Sequence, residues 1–160
     1  MIGIVGAGAF GTALAVAFGR GGAEVQLWAR DAETVAAIQA TRLTQGRLPG
    51  VALPTTVAAT ADLRDLARAD AVLLCLPMQQ LRGFLAVNGA VLSGCSLVAC
   101  CKGVDLTTLQ GPTAEIAAAC PESTAAVLTG PSFAADIARG LPTALTLACA
   151  DDAAGIMLQG

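Results

Sequence analysis

The sequence predicts a doubly wound α/β domain, a mostly parallel sheet with helices on both faces, and three observations predict it. Short apolar runs of β type alternate with alanine-rich stretches of helical length, the pattern of right-handed βαβ crossovers. The composition is 55% hydrophobic and 13% charged, as expected of strands buried on both faces. At 160 residues the chain is long enough for one domain with a substantial core.

The β-type runs are IGIV (2–5), EVQLW (24–28), AVLLCL (71–76), SLVACC (96–101), AAVLTG (125–130) and TALTLA (143–148). Helical stretches fall at 11–20, 32–41, 79–87 and 112–119, and residues 42–56, RLTQGRLPGVALPTT, form a long Pro/Gly loop. No linker, repeat or low-complexity tract divides the chain. The net charge is −3 and the eight arginines are scattered, so the clustered basic face needed by nucleic acid is missing. Residues 1–19 carry no charged side chain, but they lack a basic leader and are broken by glycines, so neither a signal peptide nor a membrane span is expected. The six cysteines sit mostly in apolar runs, with no C-x-x-C and no histidine. They read as small buried hydrophobes of a cytoplasmic protein, and no metal site is expected.

The first run is followed at once by GAGAFG, a G-x-G-x-x-G placed between a strand and a helix, the context in which this spacing signals dinucleotide binding. Gly6 permits the tight turn, Gly8 lets backbone N–H groups approach a pyrophosphate, and Gly11 lets the helix lie close to the strand, as in a Rossmann-type sheet. The helix N-terminus then faces the dianion. Glycines used only for close packing are the alternative.

The second strand ends LWARD. An acidic residue there would mark an NAD site; Arg30 stands instead, with Asp31 behind it. A 2′-phosphate would meet a guanidinium, so NADP(H) is expected, with NAD(H) tolerated. Lys102, the only lysine, ends the run CSLVACC, where an open parallel sheet presents ligand-binding residues; a chance surface lysine is the alternative. In LTGPSFAADIARGLPT (128–143) a strand ends at Gly130, Pro131 suits a turn or first helical position, and Ser132 suits a helix cap facing the same edge.

GAGAFGTALA, CCKGV and LTGPSFAADIARGLPTA, in this order and at these separations, resemble the amino-terminal domain of the bacterial NAD(P)-dependent sn-glycerol-3-phosphate dehydrogenases. RLPGVALP is similar to that family's loop after the second helix, and the resemblance runs over essentially the whole chain. It implies hydride transfer between NAD(P)H and dihydroxyacetone phosphate or sn-glycerol 3-phosphate, in phospholipid biosynthesis. It also implies that Ala9, Phe10, Arg30 and Ala134 contact the cofactor. Lys102, Gly130 and Ser132 would reach the substrate, with Lys102 near the cofactor as well and in the catalytic role, its cation stabilising charge on the ketone oxygen.

The chain departs from the family at Arg47 and Leu81, where members often carry aromatic residues. The family's carboxy-terminal helical domain, which supplies a general acid/base lysine and further phosphate contacts, has no counterpart in residues 1–160. The expectation is therefore a dinucleotide-binding domain that holds cofactor without turnover and self-associates through uncovered apolar surface. A free-standing NAD(P)-binding regulatory module, or the cofactor domain of a ketopantoate or 6-phosphogluconate type of reductase, are the alternatives.

Overall fold

A computed structural model describes residues 1–44 and 48–160. Seven strands form one sheet: β1 (Ile2–Val5), β2 (Val25–Trp28), β3 (Val57–Thr60), β4 (Ala71–Leu74), β5 (Ser96–Ala99), β6 (Thr124–Thr129) and β7 (Thr146–Cys149). Their order is β3-β2-β1-β4-β5-β6-β7. Every neighbouring pair is parallel except β6 and β7. The helices are α1 (Ala9–Arg20), α2 (Ala32–Thr41), α3 (Met78–Asn88), α4 (Pro112–Ala119), α5 (Ala134–Arg139) and α6 (Asp152–Gln159).

Strand side chains alternate between two cores. Ile4, Leu27, Leu73, Val98 and Ala126 face one core with α1, α2 and α5. Val5, Val72, Leu74, Leu97 and Ala99 face the other, which takes Leu81 and Leu85 of α3 and Ile116 of α4. Burial on both sides is why these strands read as unbroken apolar runs, and each fully buried leucine or isoleucine contributes about 1.5–3 kcal/mol of transfer free energy. The chain runs outward from β1 in both directions, so β1 and β4 flank a topological switch point. In such sheets the crevice opens at the carboxyl ends of those strands.

Several elements differ from expectation. β3 was not foreseen: Val-Ala-Ala-Thr has little intrinsic β character, and its pairing with β2 makes it a strand. The loop before it is tied down by Arg42, the left-handed cap of α2, whose guanidinium donates to the carbonyls of Leu53, Pro54 and Val57. Helix α1 starts at Ala9, two residues earlier than expected, with Gly8 as its cap. Ser132 does not cap α5. Phe133 occupies the cap position, and the Ser132 hydroxyl donates to the Ala144 carbonyl at 3.1 Å. Pro131 accordingly lies in the turn before the helix and not in it. Helix α6, also unforeseen, is capped by the Asp151 carboxylate, which accepts from the Ala154 N–H at 2.9 Å. Arg47 lies outside the described residues.

Candidate functional site

A cleft of about 790 Å³ opens at the carboxyl ends of β1, β2 and β4. Its floor is Gly6, Ala7 and Gly8; one wall is Trp28 to Asp31 with Thr34 and Thr44; the other is Leu76 and the α3 residues Gln80, Gly83, Phe84, Val87 and Asn88.

The three glycines do different work. Gly6 adopts φ +108°, and a Cβ there would lie 2.6 Å from the Cys75 carbonyl oxygen. A Cβ on Gly11 would collide with the Gly6 carbonyl oxygen and sit 3.1 Å from the Cys75 Cβ. These two are required by the protein's own backbone. Gly8 is different: its φ of −75° and ψ of −178° suit any residue, and a Cβ there meets no protein atom within 4 Å. The space such a Cβ would take is the cleft itself, at the point where the first-turn N–H groups of α1 have no intrahelical acceptor.

Arg30 is exposed at the rim and makes no hydrogen bond or ion pair among the described residues. Asp31 is committed elsewhere. One carboxylate oxygen accepts from Glu33 N–H at 3.2 Å, and the other from the Thr34 hydroxyl at 2.7 Å and Thr34 N–H at 3.1 Å. The Thr34 hydroxyl first, and then the two amides, hold its carboxyl below the usual carboxylate range. The Asp31 carboxylate is the N-cap of α2.

Lys102, Gly130, Ser132 and Ala134 form a second group, one and two strands further along the same edge. The Lys102 ammonium is exposed and donates to the Gly130 carbonyl at 3.3 Å. A Cβ on Gly130 would fall 2.5 Å from the Ala144 carbonyl oxygen, the same atom that accepts from Ser132, so the Gly-Pro-Ser turn rests on the segment leading into β7. The loop after Lys102 is also fixed. Buried Asp105 accepts from the N–H groups of Thr107 and Thr108 at 2.8 and 3.0 Å, which hold its carboxyl below its ordinary value. The Gln79 side chain bridges α3 to the same loop through Val104 and Leu106.

Of the residues singled out from the sequence, Gly6, Gly8 and Arg30 line the cleft. Gly11 is buried behind the glycine turn, while Ala9 and Phe10, in the first turn of α1, are half-buried and pack against the first core. Trp28, Phe84, Gln80 and Thr44 also line the cleft, and no sequence motif marks them. The rings of Trp28 and Phe84 lie 5.7 Å apart at 59°, a tilted pair in the cleft wall. Leu81, the position noted for its missing aromatic, is fully buried in the second core, and Phe84 supplies a ring to the cleft from one turn further along α3. The Thr44 hydroxyl is buried at the cleft with no hydrogen-bond partner among the described residues. An orphaned hydroxyl and an open cradle at Gly8 both suit a polar, anionic ligand of dinucleotide size.

No group of three or more His, Cys, Asp or Glu side chains among the described residues is placed to hold a metal ion. No described helix is long and apolar enough to cross a membrane.

Comparison with known proteins gives a consistent result. The profile of the NAD-dependent glycerol-3-phosphate dehydrogenase N-terminus matches residues 1–155. A Paracoccus denitrificans protein named glycerol-3-phosphate dehydrogenase, NAD(P)+, is 58% identical over 158 residues, covering 99% of this chain and 48% of that protein. One of the same name from a Ruegeria species is 52% identical, with coverage of 99% and 49%. The crystal structure of glycerol-3-phosphate dehydrogenase from Coxiella burnetii superposes with a TM-score of 0.90 at 28% identity, over 98% of this chain and 49% of that one. A ketopantoate reductase from Ralstonia eutropha superposes less well, with a TM-score of 0.64 at 25% identity over 81% of this chain and 41% of that one. The chain spans about half the length of the curated relatives it matches. With its strand-glycine-helix opening, its switch-point cleft and a profile match over nearly its whole length, the chain belongs to the NAD-dependent glycerol-3-phosphate dehydrogenase N-terminal domain family.

Proposed function

We propose that residues 1–160 are the dinucleotide-binding domain of an NAD(P)-dependent glycerol-3-phosphate dehydrogenase, a cytoplasmic enzyme of phospholipid precursor synthesis, and that the chain by itself holds cofactor without turnover. The observation that carries this reading is Gly8, a glycine that no protein atom requires, at the floor of the cleft and the mouth of α1. Gly6, Gly8 and the first turn of α1, with Ala9, Phe10 and Gly11, hold the pyrophosphate of NADP(H) or NAD(H). Arg30 faces the ribose 2′ position and favours the phosphorylated cofactor. Thr44 offers a hydroxyl to the same end, and Ala134 approaches from α5.

The nicotinamide, when bound, supplies or accepts the hydride. The residues of this chain position and polarise. Lys102 turns its ammonium to the ketone oxygen of dihydroxyacetone phosphate, where negative charge grows as the carbonyl is reduced. Gly130 and Ser132 hold the substrate beside it, the Gly130 carbonyl setting the position of the ammonium through the 3.3 Å bond. The general acid/base and further phosphate contacts come from a helical domain like that of the family. Apolar side chains exposed along this edge, Val104, Leu106, Leu109, Phe133 and Leu141, are surface for that domain to cover, and in the bare chain they favour self-association.

Gly8→Val tests the reading. Its backbone is extended and unstrained, so the variant folds with an unchanged melting temperature but loses binding of both cofactors in calorimetric titration. A folded Gly8→Val protein that binds NADPH as the parent does contradicts it.

A further inference from the structure

Cys75 and Cys100 follow directly on β4 and β5, which pair in parallel with Leu74 opposite Ala99. The Cys100 N–H donates to the Leu74 carbonyl at 3.1 Å, so the ladder continues one residue past both strands and sets the two cysteines side by side. Both side chains pack against the first core, whereas Cys101 points into the second. Neighbouring strands lie about 4.7–4.9 Å apart, inside the range of about 4.4–6.8 Å between the Cα atoms of a disulfide. Both cysteines are half-buried rather than sealed.

Their position gives the pair a consequence. The Cys75 carbonyl oxygen and Cβ lie where side chains on Gly6 and Gly11 would fall, so Cys75 packs directly under the glycine turn. Cys100 is two residues before Lys102. The Cys100 sulfur beside Cys75, together with burial, pushes the Cys75 thiol well above its ordinary value, so Cys75 keeps its proton.

We propose that Cys75 and Cys100 form an oxidisable dithiol whose disulfide loosens the cofactor cleft, an inference that rests on the dinucleotide reading. The oxidant is hydrogen peroxide. The Cys100 thiolate attacks one peroxide oxygen, the O–O bond breaks, and with one proton the first water leaves Cys100 as a sulfenic acid. The Cys75 sulfur then attacks Cys100, the S–S bond forms as the S–O bond breaks, and the Cys75 proton leaves in the second water. Two thiols are oxidised by two electrons and one peroxide is reduced to two waters. A disulfide draws the two Cβ atoms to about 3.5–4.5 Å, closer than parallel strands hold them, and so shifts the residue packed under Gly6 and Gly11. By linkage, bound dinucleotide opposes the oxidation to the extent that the disulfide opposes binding.

The purified 160-residue chain is treated with hydrogen peroxide, with and without NADPH, and its crosslinks are mapped by peptide mass spectrometry. NADPH affinity is titrated before and after oxidation, and again after reduction with dithiothreitol. The expected result is a Cys75–Cys100 crosslink that forms more slowly with NADPH present, a several-fold loss of affinity on oxidation, and full recovery on reduction. Cys101→Ser should retain the crosslink and Cys100→Ser should lose it. Crosslinks confined to other cysteines, or a Cys75–Cys100 crosslink with unchanged NADPH affinity, overturn the proposal. A reduced chain that binds neither NADPH nor NADH overturns the dinucleotide reading and the coupling with it, and the crosslink map, which needs no cofactor, tells that failure from the others.

Discussion

The cleft at β1, β2 and β4 and the edge at β5 and β6 are neighbours on one sheet, yet they differ in where their polar groups point. In the cleft, Gly8 leaves open space, and among the described residues Arg30 is unpaired and the Thr44 hydroxyl has no partner. At the edge, Lys102 donates to Gly130 and Ser132 donates to Ala144, so the groups assigned to substrate are occupied with the protein's own backbone. The difference teaches that the cleft stands open to a ligand, whereas the polar groups of the edge are already paired within the chain. On the proposed reading, the donors of the β5–β6 edge exchange these backbone partners for substrate.

The sharpest way to break this comparison is Lys102→Ala, made both in the 160-residue chain and in a chimera joined after Gly160 to a family helical domain. Loss of a positioned donor to a developing oxyanion costs about 10²–10³ in kcat, so turnover of the chimera falls by that factor. Cofactor affinity of the chain alone changes far less. A chimera that turns over equally well with alanine returns Lys102 to the reading of a chance surface lysine.

Arg30→Asp addresses the other region. Losing a charge-assisted partner for a 2′-phosphate is worth about 1.5–3 kcal/mol, or roughly tenfold to a hundredfold in affinity. NADPH should weaken by that factor while NADH weakens little, as read by competitive titration; equal effects on the two would remove Arg30 from the ribose site.

Gly11→Ala separates the glycine the fold needs from the one the ligand needs. Its new methyl meets the Gly6 carbonyl and the Cys75 side chain, and overpacking of this kind costs about 1–3 kcal/mol, seen as a lower midpoint in urea. Gly8→Val should leave that midpoint where it is. The contrast explains how much of the site was legible. Spacing alone revealed Gly6, Gly8 and Gly11 because strand, turn and helix are contiguous, but only the packing around each assigns its work. Trp28, Thr44 and Phe84 were invisible because they reach one cleft from three segments distant in the chain, and no local pattern links them. Strand β3 was lost for a related reason: its stability resides in partner β2 and not in Ala58 and Ala59. Lys102 and the Gly-Pro-Ser turn stood out by their position at strand ends, but their substrate roles came only through resemblance. Ser132 misled as a cap because a serine before a helix has two acceptable outlets, the helix N–H groups or a nearby carbonyl.

The smallest expected effect concerns Asp31. Its folded pKa lies below the ordinary value, so its contribution to stability is present above about pH 3.9 and is lost as the pH falls through the lowered value. Asp31→Ala should therefore lower the melting temperature slightly near neutral pH, with the difference from the parent vanishing in acid. NADH and NADPH affinities should fall together. A selective loss of NADH binding would show that the carboxylate serves a ribose rather than the helix.

The central claim, that this chain by itself holds a nicotinamide dinucleotide in the switch-point cleft, is tested most directly by the fluorescence of Trp28, the only tryptophan, which stands in the cleft wall. Titrating the 160-residue chain with NADPH should quench Trp28 saturably, with matching growth of energy-transfer emission from the reduced nicotinamide and a tighter constant than for NADH. A linear, non-saturating decline with no energy transfer, in a chain shown to be folded, would contradict the account.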